Sequence, residues 1–120
     1  VTNADRIEEA VSAHTHWFIK LRVAIIEGSS RFNPDAVRTD TNCDFGKWLY
    51  AEFPQEAAGS ELFTEIKNLH ADFHKQAAHI LELAIRGRKD EALMLLEDGA
   101  KIRTCSANLI DRLSGLKSSL

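Results

Sequence analysis

Apolar residues recur along this chain at alternating steps of three and four, the period of helices that bury one face. From about Ala4 to Glu27 the stripe reads Ile7, Val11, His14, Phe18, Leu21, Ile25. Thr2 or Asn3 can cap this helix, Asp5, Glu8 and Glu9 suit its positive end, and Gly28 suits its exit. From about Glu61 to Arg86 a second stripe reads Phe63, Ile66, His70, Phe73, Ala77, Ile80, Ala84, entered through Gly59-Ser60 and left at Gly87. A third begins near Asp90 and reads Ala92, Leu95, Gly99, Ile102, Ser106, Leu109, Leu113, Leu116. The tight Gly87-Arg88-Lys89 link predicts an antiparallel hairpin between the second and third helices.

Residues 29–41 are polar, contain Pro34 and read as a loop. Asn42 can then cap a short helix from Cys43 to about Glu52 that stops before Pro54. No stretch alternates as a strand would. The expectation is an all-α fold, a four-helix bundle of three long helices plus one short helix that carries Cys43.

At 120 residues the chain can bury one modest core, so residues 1–120 are expected to form a single domain. Because it opens on Val1, that domain is expected to be cut from a longer protein. With 44% hydrophobic and 28% charged residues, the balance is that of a folded helical protein and not of a disordered one. The formal net charge of -3 argues against a nucleic-acid partner, which calls for a concentrated basic surface. The longest apolar run, Ala92 to Leu96, is far too short to span a bilayer, so no direct membrane contact is expected. Two cysteines in so helical a chain fit free or metal-bound thiols in a reducing compartment, which makes the cytoplasm the expected location.

Two of the stripes carry histidines where a bundle needs apolar residues. A histidine facing a helical core is commonly a hydrogen-bonded core residue. The combination suggests a second reading. His70 and His74 lie one turn apart on one helix face, a spacing at which two imidazoles can share a metal ion. His14 and that pair each sit near the middle of their helices, so packing places all three at nearly one height. Cys43 would lie in the first turn of its short helix, where the dipole favours a thiolate. Three imidazoles and one thiolate suit a tetrahedral zinc ion. On spacing alone both readings stand: satisfied core histidines, or His14, Cys43, His70 and His74 around one zinc ion per chain.

His16 and His79 point away from these faces and are expected at the surface, whereas Cys105 reads as a buried structural thiol. Asp72 could support the His70/His74 pair or simply be solvated. Leu93, Leu96 and Ile110 lie beside the third stripe as an apolar surplus that favours self-association.

The segment Cys43-Asp44-Phe45-Gly46-Lys47-Trp48-Leu49, with His14-x-x-Trp17 before it and His70-x-x-x-His74 after it, resembles the bacterial chemoreceptor zinc-binding domain over nearly the whole chain. All four candidate ligand positions match the pattern. The resemblance implies a four-helix fold with a three-histidine, one-cysteine zinc site and a sensory, non-catalytic role. It also implies homodimers and a covalently attached signalling effector, a chemoreceptor or a diguanylate cyclase. In such domains the metal-bound cysteine is linked to sensing of zinc and of oxidants, hypochlorous acid among them.

In the physical terms of the motif, Gly46 lets the short helix press on its neighbours, Phe45 and Trp48 pack it in place, and Trp17 can shield the site from water. Loss of zinc, or oxidation of the thiolate, is expected to free the short helix and shift the packing of a dimer. Three alternatives remain on this reading. A zinc hydrolase would need an open coordination position, and His70-Ala-Asp-Phe-His74 lacks the glutamate of zinc proteases. A di-iron bundle of the hemerythrin type would need bridging carboxylates. A helical dimerisation module would need no signalling at all.

Overall fold

The computed structural model describes residues 2–29, 32–39, 43–51, 60–97 and 100–119. Among these the chain is all-α, with six helices and no strand: α1 (Asn3–Glu27), α2 (Pro34–Arg38), α3 (Asp44–Ala51), α4 (Glu61–Ile85), α5 (Lys89–Met94) and α6 (Lys101–Ser119). No described helix is long and apolar enough to cross a membrane.

The ends of the two longest helices follow from local chemistry. Thr2 caps α1 in a reciprocal box with Asp5: the Asp5 amide donates to the Thr2 hydroxyl and the Thr2 amide to the Asp5 carboxylate, both at 3.1 Å. At the far end Gly28 takes the left-handed conformation, φ 69°, that stops a helix and strains other residues. Ser60 caps α4 by accepting the Phe63 amide. Gly87, at φ 76°, turns the chain into α5.

The core is divided into two apolar clusters. One gathers Leu21, Ala24 and Ile25 of α1 with Phe73, Ala77, Ile80, Leu81 and Ala84 of α4, together with Ile102 and Cys105 of α6. The other gathers Ile7 and Ala10 of α1 with Ile66 of α4, Leu109, Leu113 and Leu116 of α6, and Phe45, Trp48 and Leu49 of α3. The early parts of α1 and α4 thus share one cluster and their late parts the other, so the two run parallel. α6 visits the clusters in the opposite order and runs antiparallel to both. The buried positions His14 and His70 fall in sequence between the two clusters, as a polar layer.

Two expectations need correction. The predicted loop 29–41 contains a helix, α2, because Asn33 accepts the Asp35 amide at 2.9 Å and Pro34 occupies the first helical position. The predicted third long helix is broken into α5 and α6. Short i to i+3 bonds, Leu96 to Leu93 and Ala100 to Glu97, tighten the chain there and rotate the register. Leu95 of the predicted stripe is consequently exposed while Leu96 is buried. Leu93 packs on the first cluster, so much of the supposed apolar surplus is spent inside the fold. The expected roles of Asn42, Glu52, Pro54, Gly59 and Gly99 lie outside the described residues.

Candidate metal centre

His14, Cys43, His70 and His74 converge. One ligand atom from each lies within 4.8 Å of all the others. The Cys43 sulfur is 3.3 Å from His70 Nε2, which is 3.0 Å from His74 Nε2. A tetrahedral zinc ion with bonds of about 2.0–2.3 Å sets its donors about 3.3–3.8 Å apart, so the spacing is close to that of a coordination shell.

Main-chain oxygens fix which imidazole nitrogens face inward. His14 Nδ1 lies 2.7 Å from the Ala10 carbonyl one turn back in α1, and His74 Nδ1 lies 2.8 Å from the Val37 carbonyl of α2. A carbonyl can only accept, so both Nδ1 atoms carry the proton and both Nε2 atoms present lone pairs. His14 Nε2 is buried and has no hydrogen-bond partner among the described residues. A buried polar atom left in this way costs roughly 1–3 kcal/mol unless something outside the chain satisfies it. This donor set fits a borderline cation such as zinc.

The electrostatics agree. Burial, partly opposed by the Ala10 hydrogen bond and reinforced by His74, pushes the His14 pKa down from 6.5 to about 4. Burial, then the nearness of His74 and His14, pushes His70 down to about 2. Both rings are neutral at physiological pH, the form that binds a metal.

Aromatic rings hold the imidazoles edge-on. Phe45 stands 4.9 Å from His70 and 5.8 Å from His14, and Phe73 stands 5.1 Å from His14. Trp17 is half-buried and packs with its ring tilted 56° to that of Phe32, centroids 5.1 Å apart, with the Lys20 ammonium over both rings. A groove of about 390 Å³ between α1 and α3 reaches His14 and Cys43, so the thiol is approachable from solvent.

Cys43 itself differs from expectation. It precedes α3 instead of lying in its first turn, and its sulfur accepts the Gly46 amide at 3.3 Å. The thiol therefore is the side-chain cap of α3. Phe45, Trp48 and Leu49 bury that helix firmly, as their place in the motif suggested. His16 and His79 are exposed and Cys105 is buried, as expected. Asp72 is exposed and accepts from Gln76 at 2.8 Å; the supporting role at His14 and His74 falls to the Ala10 and Val37 carbonyls. Main-chain oxygens carry no residue signature, so sequence could not point to them.

The model of one protein family, described as the chemoreceptor zinc-binding domain, matches residues 14–81, which is more than half of the chain and includes all four converging residues. The chain belongs to the chemoreceptor zinc-binding domain family. Searches of curated proteins and of solved structures returned no match. Zinc is accordingly the cofactor of this domain, with one three-histidine, one-cysteine group able to hold one ion. That group contains no carboxylate, in contrast to the bridging ligands a di-iron centre requires.

Proposed function

We infer that the domain is a sensory, non-catalytic zinc module in which His14 Nε2, His70 Nε2, His74 Nε2 and the Cys43 thiolate hold the ion. The observation that carries this reading is the buried His14 Nε2, without a partner among the described residues, within a group of donors less than 5 Å apart. When bound, zinc supplies a four-way cross-link between α1, the start of α3 and α4, and four protein donors leave no open position for catalysis.

Within that frame Cys43 is the switching residue. It stands at a helix start that is open to the groove, whereas the three histidines stand in the middle of long helices. Burial of Phe45, Trp48 and Leu49 is worth roughly 1.5–3 kcal/mol per side chain, so α3 does not detach when its thiol is released. Instead its first turn re-aims while its apolar face stays seated. An oxidant such as hypochlorous acid would act there directly: the thiolate sulfur attacks the chlorine and hydroxide leaves, and water then displaces chloride from the S–Cl bond to give a sulfenic acid and a proton.

The shift is passed on in a homodimer to a covalently attached chemoreceptor or cyclase effector, with the assembly in the cytoplasm. The outward face of α1 supports dimerisation, since Ile19, Val23 and Ile26 lie exposed at steps of four and three.

Elemental analysis of the purified domain tests the ligand assignment. One zinc per chain is expected, with loss of binding when any of the four residues is replaced by alanine. Cobalt in place of zinc should show a sulfur-to-metal charge-transfer band that disappears in Cys43→Ala. Full zinc occupancy in all four alanine variants would refute the assignment.

A further inference from the structure

The helix that sequence patterning reads as loop has a position of its own at this site. α2 has only five residues, too few to be stable alone, so its placement depends on what it docks against. It is fastened at three points. Asn33 caps its start, Val37 is buried in the α1–α4 cluster, and Arg38 bridges Asp35 on the same helix and Glu82 on α4. The Val37 carbonyl that accepts the hydrogen bond from His74 Nδ1 lies between the second and third of these anchors.

We propose that α2 is a positioning strap for the metal centre: the Arg38–Glu82 ion pair holds the Val37 carbonyl against His74 Nδ1 and thereby keeps His74 Nε2 turned toward Cys43 and His70. The pair lies away from the donors, with Glu82 two turns beyond His74 on α4, and neither residue belongs to the converging group. His14 provides an internal contrast. Its Nδ1 proton is held by Ala10 within the same long helix and owes nothing to α2. Of His14 and His74, it is thus His74 whose orientation depends on a short, separately docked element. The ion pair thereby gives the fold a surface handle on metal retention. This rests on the ligand assignment proposed above, but its first test does not need the metal.

That test is the solvent-exchange rate of the imidazole Nδ1 protons, followed by NMR in the zinc-free domain labelled with 15N. Arg38→Gln and Glu82→Gln should each accelerate exchange at His74 about tenfold and leave His14 unchanged. The double variant should do no more than either single one, and Arg38→Lys, which keeps the charge, should restore most of the protection. Arg112→Gln, which removes a comparable ion pair with Glu65 elsewhere on α4, should change neither proton. Zinc affinity by chelator competition should fall about three- to tenfold in the Arg38 and Glu82 variants, below the range for loss of a direct partner of a ligand. Unchanged exchange at His74, equal acceleration at both histidines, or the same effect from Arg112→Gln would overturn the strap. If wild-type protein bound no zinc, the ligand assignment would fail while the exchange data still decided the role of α2.

Discussion

The Cys43 sulfur accepts the Gly46 amide at 3.3 Å, so one atom both caps α3 and faces the buried imidazoles. Cap and ligand can be separated by substitution. Cys43→Ser keeps an oxygen that can cap, whereas Cys43→Ala keeps neither function. Both variants should lose zinc affinity by at least about a hundredfold in chelator competition. Only Cys43→Ala should also lose about 1 kcal/mol of zinc-free stability in urea melts, the usual worth of a helix cap. Equal zinc-free stability of the two variants would show that the cap contributes nothing.

His14 predicts an opposite pair of effects. Its Nε2 is buried without a partner among the described residues, so the zinc-free fold carries an unsatisfied polar atom in its core. His14→Leu replaces it with an apolar side chain of similar size. The zinc-free variant should be more stable than wild type by about 1–2 kcal/mol, because the stranded nitrogen is gone. The stabilisation that added zinc gives wild type should be absent from the variant. Paired thermal melts with and without zinc measure both effects.

The two thiols should be distinguishable by their chemistry. Burial, and then the negative charge of Asp72, pushes the Cys105 pKa up to about 12, and its thiol donates to the Leu69 carbonyl at 3.3 Å. At pH 8 roughly one part in ten thousand of Cys105 is thiolate, the reactive form. Cys43 is half-buried and lines the open groove. Once zinc is chelated, iodoacetamide followed by peptide mapping should modify Cys43 rapidly and Cys105 only under denaturing conditions. Comparable labelling of both in the folded domain would contradict this picture.

Much of this arrangement is written in side-chain periodicity, and its gaps have physical causes. The stripes of α1 and α4 place His14 and His70 in the core because a 3.6-residue period on a long helix leaves little freedom. Periodicity fails after Leu93, where a turn at Leu95 and Leu96 shifts the register so that Leu96 instead of Leu95 enters the core. α2 escaped because Pro34 is read as a breaker, although Asn33-Pro34-Asp35 is equally a helix start. The Val37 carbonyl could not be anticipated at all, since its role depends on where α2 docks and not on the valine side chain.

Acid should destabilise the zinc-free domain well above the pH at which carboxylates titrate. His14 and His70 have native pKa values lowered to about 4 and about 2, mainly by burial, while in the unfolded chain each returns to near 6.5. Between these limits the unfolded state binds protons that the native state refuses, so stability falls as pH falls. The contribution of the neutral rings is fully present above pH 6.5 and is lost progressively below it. At pH 5 each histidine should cost about 2 kcal/mol relative to pH 8, or about 4 kcal/mol together. That is a large part of the 5–15 kcal/mol typical of a domain. Urea melts of the zinc-free protein from pH 8 to pH 5 should therefore show a midpoint that drops steeply below pH 6.5. In His14→Leu the drop should be about half as large, because one of the two proton-refusing rings has been removed. An identical slope in that variant would mean that His14 does not carry its share of the linkage.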